Sequence, residues 1–135
     1  MKSIKFVLAL VLIFLPAFAY AEPVYLDCTV LDFDNDSNIR FSVIMDESSG
    51  KITHTERKGQ AYNIEGFFAP NKISYQTKEH VREFNSYIMY KFDINRSTLE
   101  VKRYSDTTYS GPGTDNFLPA GGGECEILNV KDRKY

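Results

Sequence analysis

Beyond its first twenty residues the chain repeats with a period of two. Leu26, Cys28 and Val30 alternate with Asp27 and Thr29. Ile39, Phe41, Val43 and Met45 alternate with Arg40 and Ser42, with Ile44 the one apolar exception. Tyr62, Ile64, Gly66 and Phe68 repeat the pattern, as do Ile73 and Tyr75, then Ile88, Tyr90, Phe92 and Ile94. Leu99 with Val101, and Cys125 with Ile127, complete it. One face dry and one face wet is the mark of a strand. The alternation predicts strands over 24–33, 39–45, 51–57, 61–68, 72–78, 83–95, 98–104 and 124–130. No stretch of this part sustains helical spacing, although 78–84 has room for one helical turn.

Turn chemistry separates the strands. Asn35-Asp36-Ser37-Asn38, Asp46 to Gly50, Ala69-Pro70-Asn71-Lys72 and Asn95-Arg96-Ser97-Thr98 are short polar links rich in turn formers. Short links pair sequence neighbours antiparallel. The exception is 105–123, a long link of Ser, Thr, Gly and Pro, of a length that in compact domains is either functional or mobile. Gly121-Gly122-Gly123 reads as a flexible entry into the last strand. An antiparallel meander of eight strands hides its edges best by closing on itself. The expected fold is therefore all-β, a single small eight-stranded meander barrel, with a two-sheet β-sandwich as the alternative.

The first segment has a different character. Lys2 and Lys5 precede an apolar run from Phe6 to Leu15, Pro16 breaks it, and Ala19-Tyr20-Ala21 is a small-x-small site. This is the layout of a secretory signal, and the apolar run is short of the roughly 20 residues of a membrane span. The expectation is a signal peptide over 1–21, cleaved, and one barrel domain over 22–135, periplasmic or secreted, with no stable membrane insertion after cleavage. An oxidising compartment makes Cys28 and Cys125 a disulfide pair that staples the first strand to the last.

With 16 basic and 18 acidic residues the chain has no basic footprint for nucleic acid. Asp32, Asp34 and Asp36 alternate as calcium ligands do, but Ser37 and Val43 stand where a helix–loop–helix calcium loop needs Gly and Glu. His54 and His80, isolated in polar contexts, read as surface residues and form no metal motif. No nucleophile elbow, phosphate loop or selected carboxylate pair is present. The reading assigns no catalytic residue, no metal and no cofactor.

The segment Tyr90-Lys91-Phe92-Asp93-Ile94-Asn95-Arg96-Ser97-Thr98-Leu99-Glu100-Val101, with Cys28 before it and Gly123-Glu124-Cys125 after it, resembles a broad group of small periplasmic disulfide-closed barrel proteins of Gram-negative bacteria. Their hairpin reads Y-x-I-D/N-R-x-T-G-x-L. Leu99 stands here where the hairpin Gly is usual. The resemblance implies fold and compartment and transfers no active site.

Aromatic residues off the core register suit either a binding surface or burial under loops that pack over the barrel. Phe67, Tyr87, Met89 and Tyr104 fall on the outer face, and Tyr109 and Phe117 lie in the long link. Aromatics on an adaptable polar loop suit macromolecular contact. The functional expectation is a non-enzymatic binding module that contacts an envelope or extracellular protein through 105–123, with Tyr104, Tyr109 and Phe117 as anchors. A lipocalin-like carrier of a small apolar ligand is the alternative, opposed by the large inward residues Phe41, Phe68, Tyr75, Tyr90 and Phe92. An enzyme with an unrecognised site ranks third.

Overall fold

In the computed structural model, residues 22–106 and 117–128 are described. The segment 1–21 expected to be a signal peptide, Tyr109 and residues 129–135 lie outside them. The described chain is all-β. Its strands are β1 (Val24–Asp32), β2 (Ser37–Asp46), β3 (Lys51–Glu56), β4 (Ala61–Glu65), β5 (Phe67–Phe68), β6 (Lys72–Val81), β7 (Ser86–Asn95), β8 (Glu100–Asp106) and β9 (Leu118–Leu128). A 3-10 turn at Arg82–Phe84 joins β6 to β7, and Asn85 ends it in the left-handed region.

The strands form one antiparallel sheet in the order β4-β3-β2-β1-β9-β8-β7-β6-β5. The sheet curls into a nearly closed barrel. Two meanders make it up: one from β1 to β4, the other from β5 to β9. They meet where the first strand pairs with the last, and Cys28 sits directly opposite Cys125. The two cysteines form the disulfide across that pair, 97 residues apart in sequence. Both are buried in the core.

The expected strand over 61–68 is two strands. Gly66 breaks it, because its N–H leaves the ladder direction of β5 and donates to the Gly50 carbonyl at 2.9 Å. A side chain at Gly66 would overlap Ile52. Past this break the chain crosses from β3 to β6. No ladder joins β4 to β6, so the seam of the barrel lies here and not at the chain ends. Its two lips frame an open groove of about 530 Å³ lined by Ile64, Gly66, Phe67, Tyr75 and Met89. Arg96 spans one end of the seam. Its guanidinium donates to both Glu47 carboxylate oxygens, at 3.2 and 2.7 Å, and to the Ala69 carbonyl at 2.9 Å.

The glycine run also differs from expectation. Gly121, Gly122 and Gly123 are paired residues inside β9, so the flexible entry is a rigid stretch of strand. The reason is close approach. A side chain at Gly123 would run into the Thr29 carbonyl and lie 2.8 Å from the Val30 Cα. The outward Gly122 has open space, with only the Val101 carbonyl at 3.9 Å. The long link shrinks accordingly to 107–117, with 105–106 in β8 and 118–123 in β9.

Leu99, in place of the hairpin Gly, holds φ at 61°. A branched side chain is strained there. Two features offset the strain. The Leu99 side chain packs on the core, and its carbonyl accepts the Cys125 N–H at 2.9 Å. The core itself gathers Leu26, Val43, Ile52, Ile94 and Val101 at one end of the barrel.

Two outcomes follow. Replacing Cys28 and Cys125 together by Ala should lower unfolding free energy in oxidising buffer by about 4 kcal/mol, because the bridge closes a long loop; equal denaturation midpoints for both proteins would refute it. Gly123→Ala should cost more than about 2 kcal/mol through backbone overlap, whereas Gly122→Ala should stay within about 0.5 kcal/mol of the parent, both read from urea unfolding.

Candidate functional site

Four strands climb the barrel in the same direction, and each changes character as it climbs. The inward residues of β1 read Leu26, Cys28, Val30, Asp32. Those of β3 read Ile52, His54, Glu56, and those of β6 read Ile73, Tyr75, Thr77, Glu79. On β8 Val101 is followed by Arg103. Because alternate strands run alike, the four gradients add up. One end of the interior is apolar and the other is polar.

An aromatic layer divides the two. Phe41 stacks on His54 with ring centroids 4.5 Å apart, and Phe92 meets Phe41 and Tyr75 at 5.1 Å each. His54 Nδ1 and the Tyr75 hydroxyl share a 2.7 Å hydrogen bond from β3 to β6, across the seam. His54 is 2% exposed, which corrects the expectation of a surface histidine. Burial, aided by the Arg103 charge, lowers its pKa to about 4, so the imidazole is neutral near pH 7. Burial also holds the Tyr75 phenol well above its ordinary value.

Above the layer the interior turns polar. The Arg103 guanidinium covers the Tyr90 ring at 4.2 Å and stands 3.9 Å from Asp32, both side chains 11% exposed. Gly121 makes this possible, since it lies between them in register without a side chain. Asp32 also accepts from the Asp34 N–H at 3.0 Å and the Asn35 amide at 3.1 Å. The D-x-D-x-D run is thus a turn built on Asp32, whose neighbours Asp34 and Asp36 are exposed. No group of three metal-ligating side chains converges among the described residues.

Glu56, half-buried, lies at this end of β3, and the exposed Glu79 lies at this end of β6. Burial raises the Glu56 pKa, and the charge of Glu79 raises it further, against the opposing pull of Arg103 and Lys58. The Tyr62 phenol is raised by burial and by the same two carboxylates. Burial likewise raises Tyr90, with Arg103 opposing. These groups therefore share one electrostatic environment.

Two large apolar side chains stand exposed on the outside at this end. Phe33 is 57% exposed and Leu118 is 65% exposed; the Phe33 N–H donates to the Ala120 carbonyl at 3.1 Å, which places both at this end. Of the expected anchors, Tyr104 faces outward on β8 and Phe117 directly precedes β9. The Lys91 ammonium lies 5.7 Å from the Tyr104 ring and 6.0 Å from the Phe117 ring, so the structure brings these two together. Tyr109 is outside the described residues. Tyr87 is also exposed, with the Lys78 ammonium 4.1 Å from its ring.

No family model, curated protein or solved structure matches this chain. The site is thus read from its own chemistry.

The His54 environment sets a pH dependence. Its folded pKa lies below the unfolded value, so its contribution is complete above about pH 6.5 and is lost as pH falls through about 4. On the order of 3 kcal/mol of stability should disappear across that window. His54→Gln should flatten this part of the stability profile relative to the parent. Parallel profiles for the two proteins would show that His54 does not carry the loss.

Proposed function

We propose that this chain is an exported, non-enzymatic β-barrel that binds another macromolecule, an envelope or extracellular protein, through its polar end. The observation that carries the reading is the exposed apolar rim on the β1, β9 and β8 side of the polar end. Phe33 and Leu118 are large and exposed; the Phe33 N–H binds the Ala120 carbonyl, and Leu118 pairs with Ser105 beside Tyr104. Exposed aromatic and aliphatic side chains around a polar centre are the composition of protein-binding surfaces. The contact element is broader than the link 107–117, because it takes in the turn after β1 and the start of β9.

The buried disulfide supports an oxidising compartment, periplasmic or extracellular. Among the described residues no helix is long and apolar enough to cross a membrane. The aromatic layer of Phe41, His54, Tyr75 and Phe92 occupies the middle of the interior. That counts against a carrier with a deep apolar cavity.

The test is site-specific photo-crosslinking. A benzophenone amino acid placed at Phe33, Phe117 or Leu118 should label one and the same protein in the native compartment. Thr53, on the outer face of β3, serves as the control. Identical labelling from Thr53, or none from the rim, would overturn the reading.

A further inference from the structure

We infer that the free edge of β6 receives an extended segment of another polypeptide, which pairs with it as an added strand. The inference goes beyond the rim contact and does not rest on it, since it concerns β6 and not β1, β8 or β9. Its basis is the hydrogen-bond parity at the seam. In an antiparallel ladder alternate residues turn their N–H and C=O to one neighbour, and the residues between them turn to the other. The Arg96 N–H donates to the Asn71 carbonyl at 3.0 Å, so the register gives the alternate residues from Ile73 to Glu79 to β7. Ser74, Gln76, Lys78 and His80 turn the other way. Ser74 meets Phe67 of β5. Beyond Phe67 the chain is diverted at Gly66, and β4 pairs with β3 instead. Gln76, Lys78 and His80 therefore face no strand among the described residues. The place on β6 that a straight continuation of β5 would fill is left open.

A row of unpaired main-chain groups is a template for a further strand, and strand addition at such an edge is a recurring mode of peptide recognition. The side chains around the edge select the occupant. Lys78 and His80 are exposed on the outer face of β6. The Lys78 ammonium lies 4.1 Å from the Tyr87 ring, and among the described residues no carboxylate is within ion-pair distance of it. An acidic residue directly opposite Lys78 is the favourable cross-strand pair. Two positions further along, opposite Gln76, the added strand reaches the groove of about 530 Å³ that Phe67 and Met89 also line. Phe67 is 67% exposed there, so an apolar side chain fits at that position. The occupant is thus an extended segment that carries a carboxylate and an apolar side chain at alternate positions. A second copy of this edge fits less well, because pairing about Lys78 would set two ammonium groups opposite each other.

The experiment uses the isotopically labelled, disulfide-bonded protein and a blocked heptapeptide of sequence Thr-Val-Thr-Glu-Thr-Leu-Thr. At saturation the amide resonances of Gln76, Lys78 and His80 should shift, and their hydrogen exchange, fast at a free edge, should slow by about tenfold. The same peptide with lysine at its centre should need about tenfold higher concentration for the same shift. N-methylation of the central glutamate removes a main-chain donor and should abolish the protection. Lys78→Glu, an exposed change, should melt as the parent does and reverse the preference in favour of the lysine peptide. Unchanged exchange at the three amides with millimolar glutamate peptide would overturn the inference. Equal protection by the N-methylated peptide, or an unreversed preference in a Lys78→Glu protein that melts normally, would do the same. Protection that rises with protein concentration alone, together with a doubled mass, would place a second copy on the edge and overturn the partner segment.

Discussion

The pairing of β1 with β9 is the interaction on which the rest depends. Without it the molecule is two separate meanders joined by a single crossing at Gly66. The pairing is far from local, since its cysteines are 97 residues apart. Closing so long a loop is entropically costly before any contact compensates for it. Three features meet that cost at one place. The disulfide removes part of the entropy from the unfolded chain. Gly121 and Gly123 let the two backbones approach where any side chain would intervene. The Cys125 N–H binds the Leu99 carbonyl and ties β9 to the hairpin on its other side.

The seam is the counterpart of that junction. Backbone pairing stops between β4 and β6, and side chains take over. His54 and Tyr75 bridge it inside, and Arg96 and Glu47 bridge it at the apolar end. The inner bond is the stronger of the two in its effect. It is buried, and removing one partner would leave the other unsatisfied. The exposed ion pair contributes little by comparison.

A fold of this size gains most by filling its interior with apolar side chains. Half of this interior is filled so. The other half buries Asp32, Arg103 and part of Glu56 at a desolvation cost that ion pairing recovers only in part. Departures of this kind from the most stable filling concentrate where a protein works. The polar end also carries the exposed apolar rim, so both departures fall in one place.

The alternation of residues by itself determined most of the strands and the inward position of Phe41, Tyr75 and Phe92, because period two is a local property of the chain; the short polar links set the antiparallel pairing of neighbours. Cysteine placement likewise pointed to the junction of first and last strands. The climb from Ile52 to Glu56, from Ile73 to Glu79 and from Val101 to Arg103 was also present in the sequence. Its meaning was not, since it becomes a polar end only when those strands stand side by side and point the same way. The break at Gly66, the glycines inside β9 and the burial of His54 were decided by tertiary structure alone. Each depends on what lies opposite, namely Ile52 against Gly66, Thr29 against Gly123, and Phe41 and Tyr75 against His54. No local pattern encodes a neighbour that distant pairing alone brings near.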